Sequence, residues 1–222
     1  MREGEKKEAS AMSVLTERGT LSKVPLVSRL ATFISVTSLE LEETNQKLEY
    51  ANEKLKMAAI IDGLTGLYNR KEIQSQIEKE LAREGTRKFS LIMLDIDNFK
   101  QVNDTYGHQE GDMVIIALAK ILHNEEMAYT DKFSAGRWGG EEFMLLLHDT
   151  DVSAASFIAE LISQCFANTS FPTVRMQTIS LGVTQTTEDD TLDSLCTRVD
   201  AALYKAKKSG KNKVEVLYVR WR

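Results

Sequence analysis

The stretch Phe133-Ser-Ala-Gly-Arg-Trp-Gly-Gly-Glu-Glu-Phe-Met-Leu-Leu-Leu147 decides the fold class. Two apolar runs, 133–138 and 143–147, flank Gly139-Gly140, and the pair predicts a tight hairpin because both glycines tolerate positive φ. A hairpin implies antiparallel pairing. Upstream, Phe89-Ser-Leu-Ile-Met-Leu94 reads as a strand buried on both faces, and 178–184 and 214–219 read as further strands. Helical spacing appears over 70–83, over 113–122 with Val114, Ile115, Leu118, Ile121 and Leu122 on one side, and over 192–208. Ile158, Leu161, Ile162 and Cys165 mark another helix. The expectation is an α+β fold, with a mostly antiparallel central sheet of about five strands flanked by helices.

The chain has 222 residues, 42% of them hydrophobic and 27% charged, enough for one good core plus an appendage. The boundary falls near Ile61. Over 38–59 the sequence is charged and helix-forming, with Leu41, Leu48 and Leu55 spaced by sevens and Thr44, Ala51 and Ala58 in the companion positions. That pattern fits a short parallel coiled-coil stalk, or a lone amphipathic helix. Residues 1–37 receive no function. Net charge is −5, so duplex nucleic acid is not an expected partner, and any phosphate must be gripped locally. Residues 198–222 run against the trend, with eight Lys or Arg and two Asp or Glu. Cys165 and Cys196 lack CxxC spacing, which fits a reducing compartment. No signal peptide and no apolar run of about 18 residues is recognised, so the reading is a cytoplasmic protein without a membrane span.

Three clusters carry chemistry. Asp95-Ile96-Asp97 ends the buried strand, where carboxylates project into a crevice suited to metal and phosphate. Glu141 and Glu142 follow the glycine pair and would meet Asp95 if the hairpin pairs with the 89–94 strand. Carboxylates with no His or Cys nearby select a hard cation such as Mg²⁺. Each cluster alone also fits a strand end or a solvated turn. The third cluster is Lys205, Lys207, Lys208, Lys211 and Lys213, in which Lys207 and Lys211 would share a helix face if the helix persists; a solvated helix end is the alternative. Between the first two, Asn103 to Asp112 offers an amide and a carboxylate able to read a base edge. A carboxylate accepts two hydrogen bonds from N1 and N2 of guanine, and adenine has no such paired donors. The other reading of this segment is a turn and helix cap.

Together these residues resemble the GGDEF family of diguanylate cyclases over about residues 62–217. Asp62-Gly-Leu-Thr-Gly-Leu-Tyr-Asn-Arg70 resembles its entry motif, Asp95-Ile-Asp-Asn-Phe-Lys100 through Asn103 to Asp112 its central motif, Arg137-Trp-Gly-Gly-Glu-Glu-Phe143 its signature, and Ala201 through Asn212 its closing motif. The resemblance implies a palm-like, nucleotide-cyclase type of sheet in residues 62–222, preceded by a helical or coiled-coil signalling segment in residues 1–61. It implies that two subunits, each holding one GTP with Mg²⁺ (or Mn²⁺), form a homodimer through the catalytic domain and N-terminal helix. They would make cyclic di-GMP and two pyrophosphates, with the stalk setting whether the domains meet productively. By resemblance, Asp95, the Ile96 carbonyl and Glu142 hold metal, with Glu141 as a further ligand or the base for the ribose 3′ proton. Asn103 and Asp112 read guanine, and His108 lines the ribose or base region. Lys207 and Lys211, with the loop at Phe99 and Lys100, contact the β and γ phosphates. Thr130 and Phe133 stand where many members carry the Arg and Asp of a product-binding inhibitory site, so no inhibition through that site is expected. The competing classes are a catalytically silent GTP-binding or partner-binding signalling module, and a cyclase making another nucleotide product.

Overall fold

A computed structural model describes residues 26–83, 88–128 and 133–218. The chain divides into two units, residues 1–56 and 57–222. Helix α1, Leu26–Ile60, carries the heptad leucines, and Leu41, Leu48 and Leu55 are each more than 60% exposed. Among the described residues no helix is long and apolar enough to cross a membrane.

The second unit follows the order β1 (Tyr68–Asn69), α2 (Arg70–Ala82), β2 (Phe89–Ile96), α3 (Phe99–Tyr106), α4 (His108–Ala128), β3 (Phe133–Arg137), β4 (Glu142–His148), α5 (Val152–Ala167), β5 (Ile179–Gln185), α6 (Leu192–Lys208) and β6 (Val214–Val216). The strands form one six-stranded sheet in the order β1-β3-β4-β2-β5-β6. Its three central pairings are antiparallel, and short β1 and β6 join the edges in parallel. The strand beyond the expected five is β1, whose two residues are too few to leave a periodic signal. The last strand stops at Val216, and Val219 lies outside the described residues.

Strand alternation sorts the core into two layers. Ile92, Leu94 and Ile96 of β2 pack with Val114, Ile115 and Leu118 of α4 and Ala155, Ala159 and Ile162 of α5. Phe89, Leu91 and Met93 pack on the other face with Ile73 and Ile77 of α2 and Leu195, Val199 and Leu203 of α6. Helix α4 begins five residues earlier than its apolar spacing indicates, because its first residues, His108 and Gln109, are polar and exposed and carry no apolar signal. In α5 the expected face is corrected too: Cys165 is exposed, and the small residues Ala155 and Ala159 join Ile162 and Phe166 against the sheet. Small side chains allow close approach but carry no apolar weight in a periodicity count.

The start of α6 is anchored by a half-buried polar network. Thr191 and Ser194 make a reciprocal capping box. Arg198 donates to Thr184 Oγ1, Asp190 Oδ1, Asp190 Oδ2 and the Gln185 carbonyl. Burial alone would raise the Asp190 carboxyl, but hydrogen bonds from Arg198, Ser194 and Thr187 outweigh it and hold the group at about 2. The folded value lies below the unfolded one, so this contribution to stability is present above about pH 4 and lost as pH falls toward 2. Asp190→Asn is expected to cost about 2 kcal/mol at pH 7, since it leaves the half-buried Arg198 guanidinium without its charged partner. Urea unfolding checks this: the deficit should shrink between pH 4 and pH 2, and an equal deficit at both would contradict the assignment.

Candidate functional site

The period of two that buries β2 also aims its acid. Asp95 follows Leu91 and Met93 on the α6 face, and Glu142 precedes Met144 and Leu146 on the same face of β4. Asp95 and Glu142 are cross-strand partners, so the hairpin does pair with β2 and brings both acids to one edge. Lys207, in the last turn of α6, places Nζ 2.7 Å from Asp95 Oδ2. Asp95 is only 6% exposed. Burial pushes its carboxyl up to about 6, the charges of Glu141 and Glu142 push in the same direction, and Lys207 opposes them only in part. The Ile96 side chain is core, leaving its carbonyl as its only possible donor atom to the site.

This donor set is all oxygen, carries excess negative charge and already draws one cation, Lys207, onto its most buried carboxylate. It fits a hard divalent ion. Among the described residues no three His, Cys, Asp or Glu side chains are drawn together as a ready-made metal cage.

The turn before Glu142 is tight for a different reason than positive φ. Neither Gly139 nor Gly140 adopts a left-handed backbone, which corrects the expectation. A Cβ on Gly139 would lie 2.5 Å from Glu142 Oε2, so the glycine makes room for the carboxylate. The Gly140 carbonyl accepts from Arg137 Nε and Nη2 at 3.1 and 2.7 Å, and Arg137 Nη1 reaches both Asp62 oxygens at 3.3 Å. Asp62 also accepts from the Thr65 amide and hydroxyl. Asp62 and Arg137 therefore tie the turn after α1 to the glutamate turn. They lie inside two of the quoted motifs, but a link across 75 residues leaves no local trace.

On the opposite side the phosphate-contact expectations shift. Phe99 and Lys100 are not loop residues; they open α3, and the Phe99 side chain packs into the core, so only backbone N–H groups of Phe99 can face a ligand. Lys100 is exposed. Asp97 is buried and accepts from Thr178 Oγ1, Ser180 Oγ and the Asn212 amide at 2.7, 2.7 and 3.0 Å, which makes it a structural anchor. Lys207 and Lys211 do not share a helix face, because α6 ends at Lys208 and Gly210, Lys211 and Asn212 follow with φ of 114°, 61° and 48°. Lys211 Nζ instead donates to Asn98 Oδ1. The two lysines thus reach the β2–α3 tip by separate routes.

Asn103, His108 and Asp112 gather at the α3–α4 corner, where Gly107 breaks the helix with φ of 86°. His108 and Asp112 are exposed and four apart on α4, hence on one face. The half-buried Asn103 sets its carbonyl oxygen against Gly111, where a Cβ would lie 2.0 Å away. Phe133, at the second position of the inhibitory pattern, is buried in β3, and Thr130 lies outside the described residues.

Comparison with known proteins gives a family match over residues 59–213 to the model described as "Diguanylate cyclase, GGDEF domain". The chain is 39% identical over 164 residues to diguanylate cyclase DgcM of Escherichia coli K12, covering 73% of this chain and 39% of DgcM. It is 36% identical over 187 residues to diguanylate cyclase VdcA of Vibrio cholerae, covering 82% of this chain and 52% of VdcA. The chain therefore spans about half or less of these curated relatives. A crystal structure of the coiled coil and GGDEF domain of DgcB from Caulobacter crescentus, in complex with c-di-GMP, superposes with a TM-score of 0.74 at 30% identity. That match covers 85% of this chain and 99% of the other.

Proposed function

We propose that this chain, which belongs to the GGDEF family of diguanylate cyclase domains, condenses two GTP into cyclic di-GMP with release of two pyrophosphates. The observation that carries the reading is the pairing of Asp95 with Glu142 across β2 and β4, with Lys207 on the same carboxylate. Asp95, the Ile96 carbonyl, Glu142 and Glu141 would hold Mg²⁺ or Mn²⁺. Such an ion supplies charge neutralisation at the α-phosphate and at the attacking oxygen. Glu142 is fixed in the ladder beside Asp95, whereas Glu141 stands in the turn and takes the proton from the ribose 3′ hydroxyl as that oxygen bonds to phosphorus. Pyrophosphate leaves toward Lys207, Lys211, Lys100 and the α3 N-terminus, where cations and backbone N–H groups receive its charge. Asn103 and Asp112 hold guanine, with His108 beside them.

Cyclisation needs two nucleotides arranged antiparallel across a two-fold axis, so residues 62–222 act as a catalytic domain paired with a second copy. The exposed heptad leucines of α1 suit residues 1–61 to pairing as well.

Incubation of the protein with GTP, ATP and Mg²⁺, followed by chromatography and mass analysis, tests the reading. Cyclic di-GMP and pyrophosphate should form in a 1:2 ratio from GTP alone. Bound but unchanged GTP would indicate a silent module, and a mixed or single-nucleotide product would indicate another cyclase.

The Asn103–Gly111 contact gives a sharper expectation. Gly111→Ala lies within a helix, where alanine gains up to about 1 kcal/mol over glycine, but the new methyl must push the Asn103 amide aside and would sit 3.2 Å from the buried Phe99 ring. The helix gain and the pressure on Phe99 oppose each other, so melting temperature should move by only a few degrees, while KM for GTP increases roughly tenfold through the loss of about one hydrogen bond. An unchanged KM would remove Asn103 from guanine recognition. Product inhibition through the 130–133 pattern is not expected, since a core phenylalanine replaces the acid; initial rates with added cyclic di-GMP should stay flat, and micromolar inhibition with product bound near Thr130 would contradict this.

A further inference from the structure

We propose that Lys207 is the resident cation of Asp95 in the nucleotide-free protein, and that it must leave that carboxylate before a divalent metal binds well. Metal binding and polyphosphate binding are then coupled through one side chain. This rests on the reading of Asp95 as a metal ligand given above.

The lysines of the basic end have different engagements. Lys205 pairs with Glu215 at 2.7 Å, Lys208 lies over the Tyr204 ring, Lys213 donates to the Ser209 carbonyl and Lys211 to Asn98. Lys207 is the one whose ammonium sits on Asp95. Its backbone is held by a helix anchored at the far end through the capping box and Arg198. Its side chain is a third exposed, against 9% for that of Asp95, so the lysine is the partner with room to move. A lysine stem has four flexible carbons ending in a compact charge, well suited to swinging between two anions.

The Lys207 ammonium and a divalent ion would contend for the same carboxylate. With the lysine in place, incoming metal adds a like charge beside it, and the acidic side chains are not gathered as a cage. A triphosphate alters this balance: it offers Lys207 a more highly charged anion, the ammonium moves to it, and Asp95 is released. By reciprocity, nucleotide raises metal affinity by the same factor that metal raises nucleotide affinity.

The test is Mn²⁺ binding to the full chain, read as free Mn²⁺ by electron paramagnetic resonance. It is run without nucleotide and with 3′-deoxy-GTP, after correction for Mn²⁺ held by the nucleotide alone. Without nucleotide, Lys207→Met and Lys207→Gln should bind Mn²⁺ about tenfold more tightly than the natural chain. The enhancement produced by 3′-deoxy-GTP should shrink in both. Equal or weaker Mn²⁺ binding in the two variants, while the natural chain binds Mn²⁺ with nucleotide, overturns the role of Lys207 and leaves the metal assignment standing. Absence of Mn²⁺ binding under every condition, or undiminished binding in Asp95→Asn, overturns the metal assignment itself and this inference with it.

Discussion

Asp95→Asn is expected to lower cyclic di-GMP synthesis by about 10³-fold while raising thermal stability at pH 7 to 8. The first effect follows because the amide keeps the shape of the side chain but removes the charge that Glu142 and Lys207 are arranged around, and losing a preorganised electrostatic group costs 10²–10³ or more. The second follows from the sign of the pKa change. The folded carboxyl titrates at about 6 and the unfolded one near 3.8, so the unfolded chain loses its proton first. Asp95 therefore subtracts stability as pH rises from about 4 to 6, and the neutral amide escapes that loss. Product rate and melting temperature, measured together from pH 4 to 8, check both. Activity within tenfold of the natural chain removes Asp95 from the mechanism, and a melting curve that falls in parallel with the natural one removes the stability argument. Glu141→Ala, whose side chain lies in the turn, should likewise abolish turnover with the fold intact.

Gly182→Ala should destabilise the fold by about 3 kcal/mol, roughly 10 °C in a domain of this size, and weaken catalysis in whatever remains folded. Gly182 lies in β5 between Met93 of β2 and Glu215 of β6, facing α6. A Cβ there would lie 2.3 Å from the Leu203 nitrogen, 2.5 Å from the Val199 oxygen and 2.9 Å from the Ala202 carbonyl carbon. All three are backbone atoms, so no side chain can rotate away; the helix itself must lift. Its last turn carries Lys207, one turn beyond Leu203. Calorimetry and kcat at 15 °C separate the two effects, and a melting temperature within 2 °C of the natural chain would show that α6 yields easily.

The strands were legible where burial imposed a simple pattern. The run of β2, apolar from Phe89 to Leu94 but for Ser90, the hairpin runs and the full length of α6 read directly, and the acids at the strand tips followed from alternation. What escaped was set by partners far along the chain. Phe99 looked like part of a loop beside acidic residues, but the space under the sheet took its ring. Lys211 looked helical by spacing, and the left-handed residues after Lys208 redirected it. The glycine pair read as a φ requirement when the close approach of Glu142 was the cause at Gly139. Arg137 was quoted within a motif, yet only the fold shows it spanning Asp62 and Gly140.

The bond from the Asn212 amide to Asp97 joins residues 115 apart in sequence. Contacts of that separation require a large loop to close and form late in folding. During synthesis, then, β2 and its acids emerge well before the segment that completes them. Until Asn212 arrives, the Asp97 carboxylate lacks one of its donors and Lys211 cannot reach Asn98. The Lys211 side of the tip therefore takes shape only once that long loop has closed.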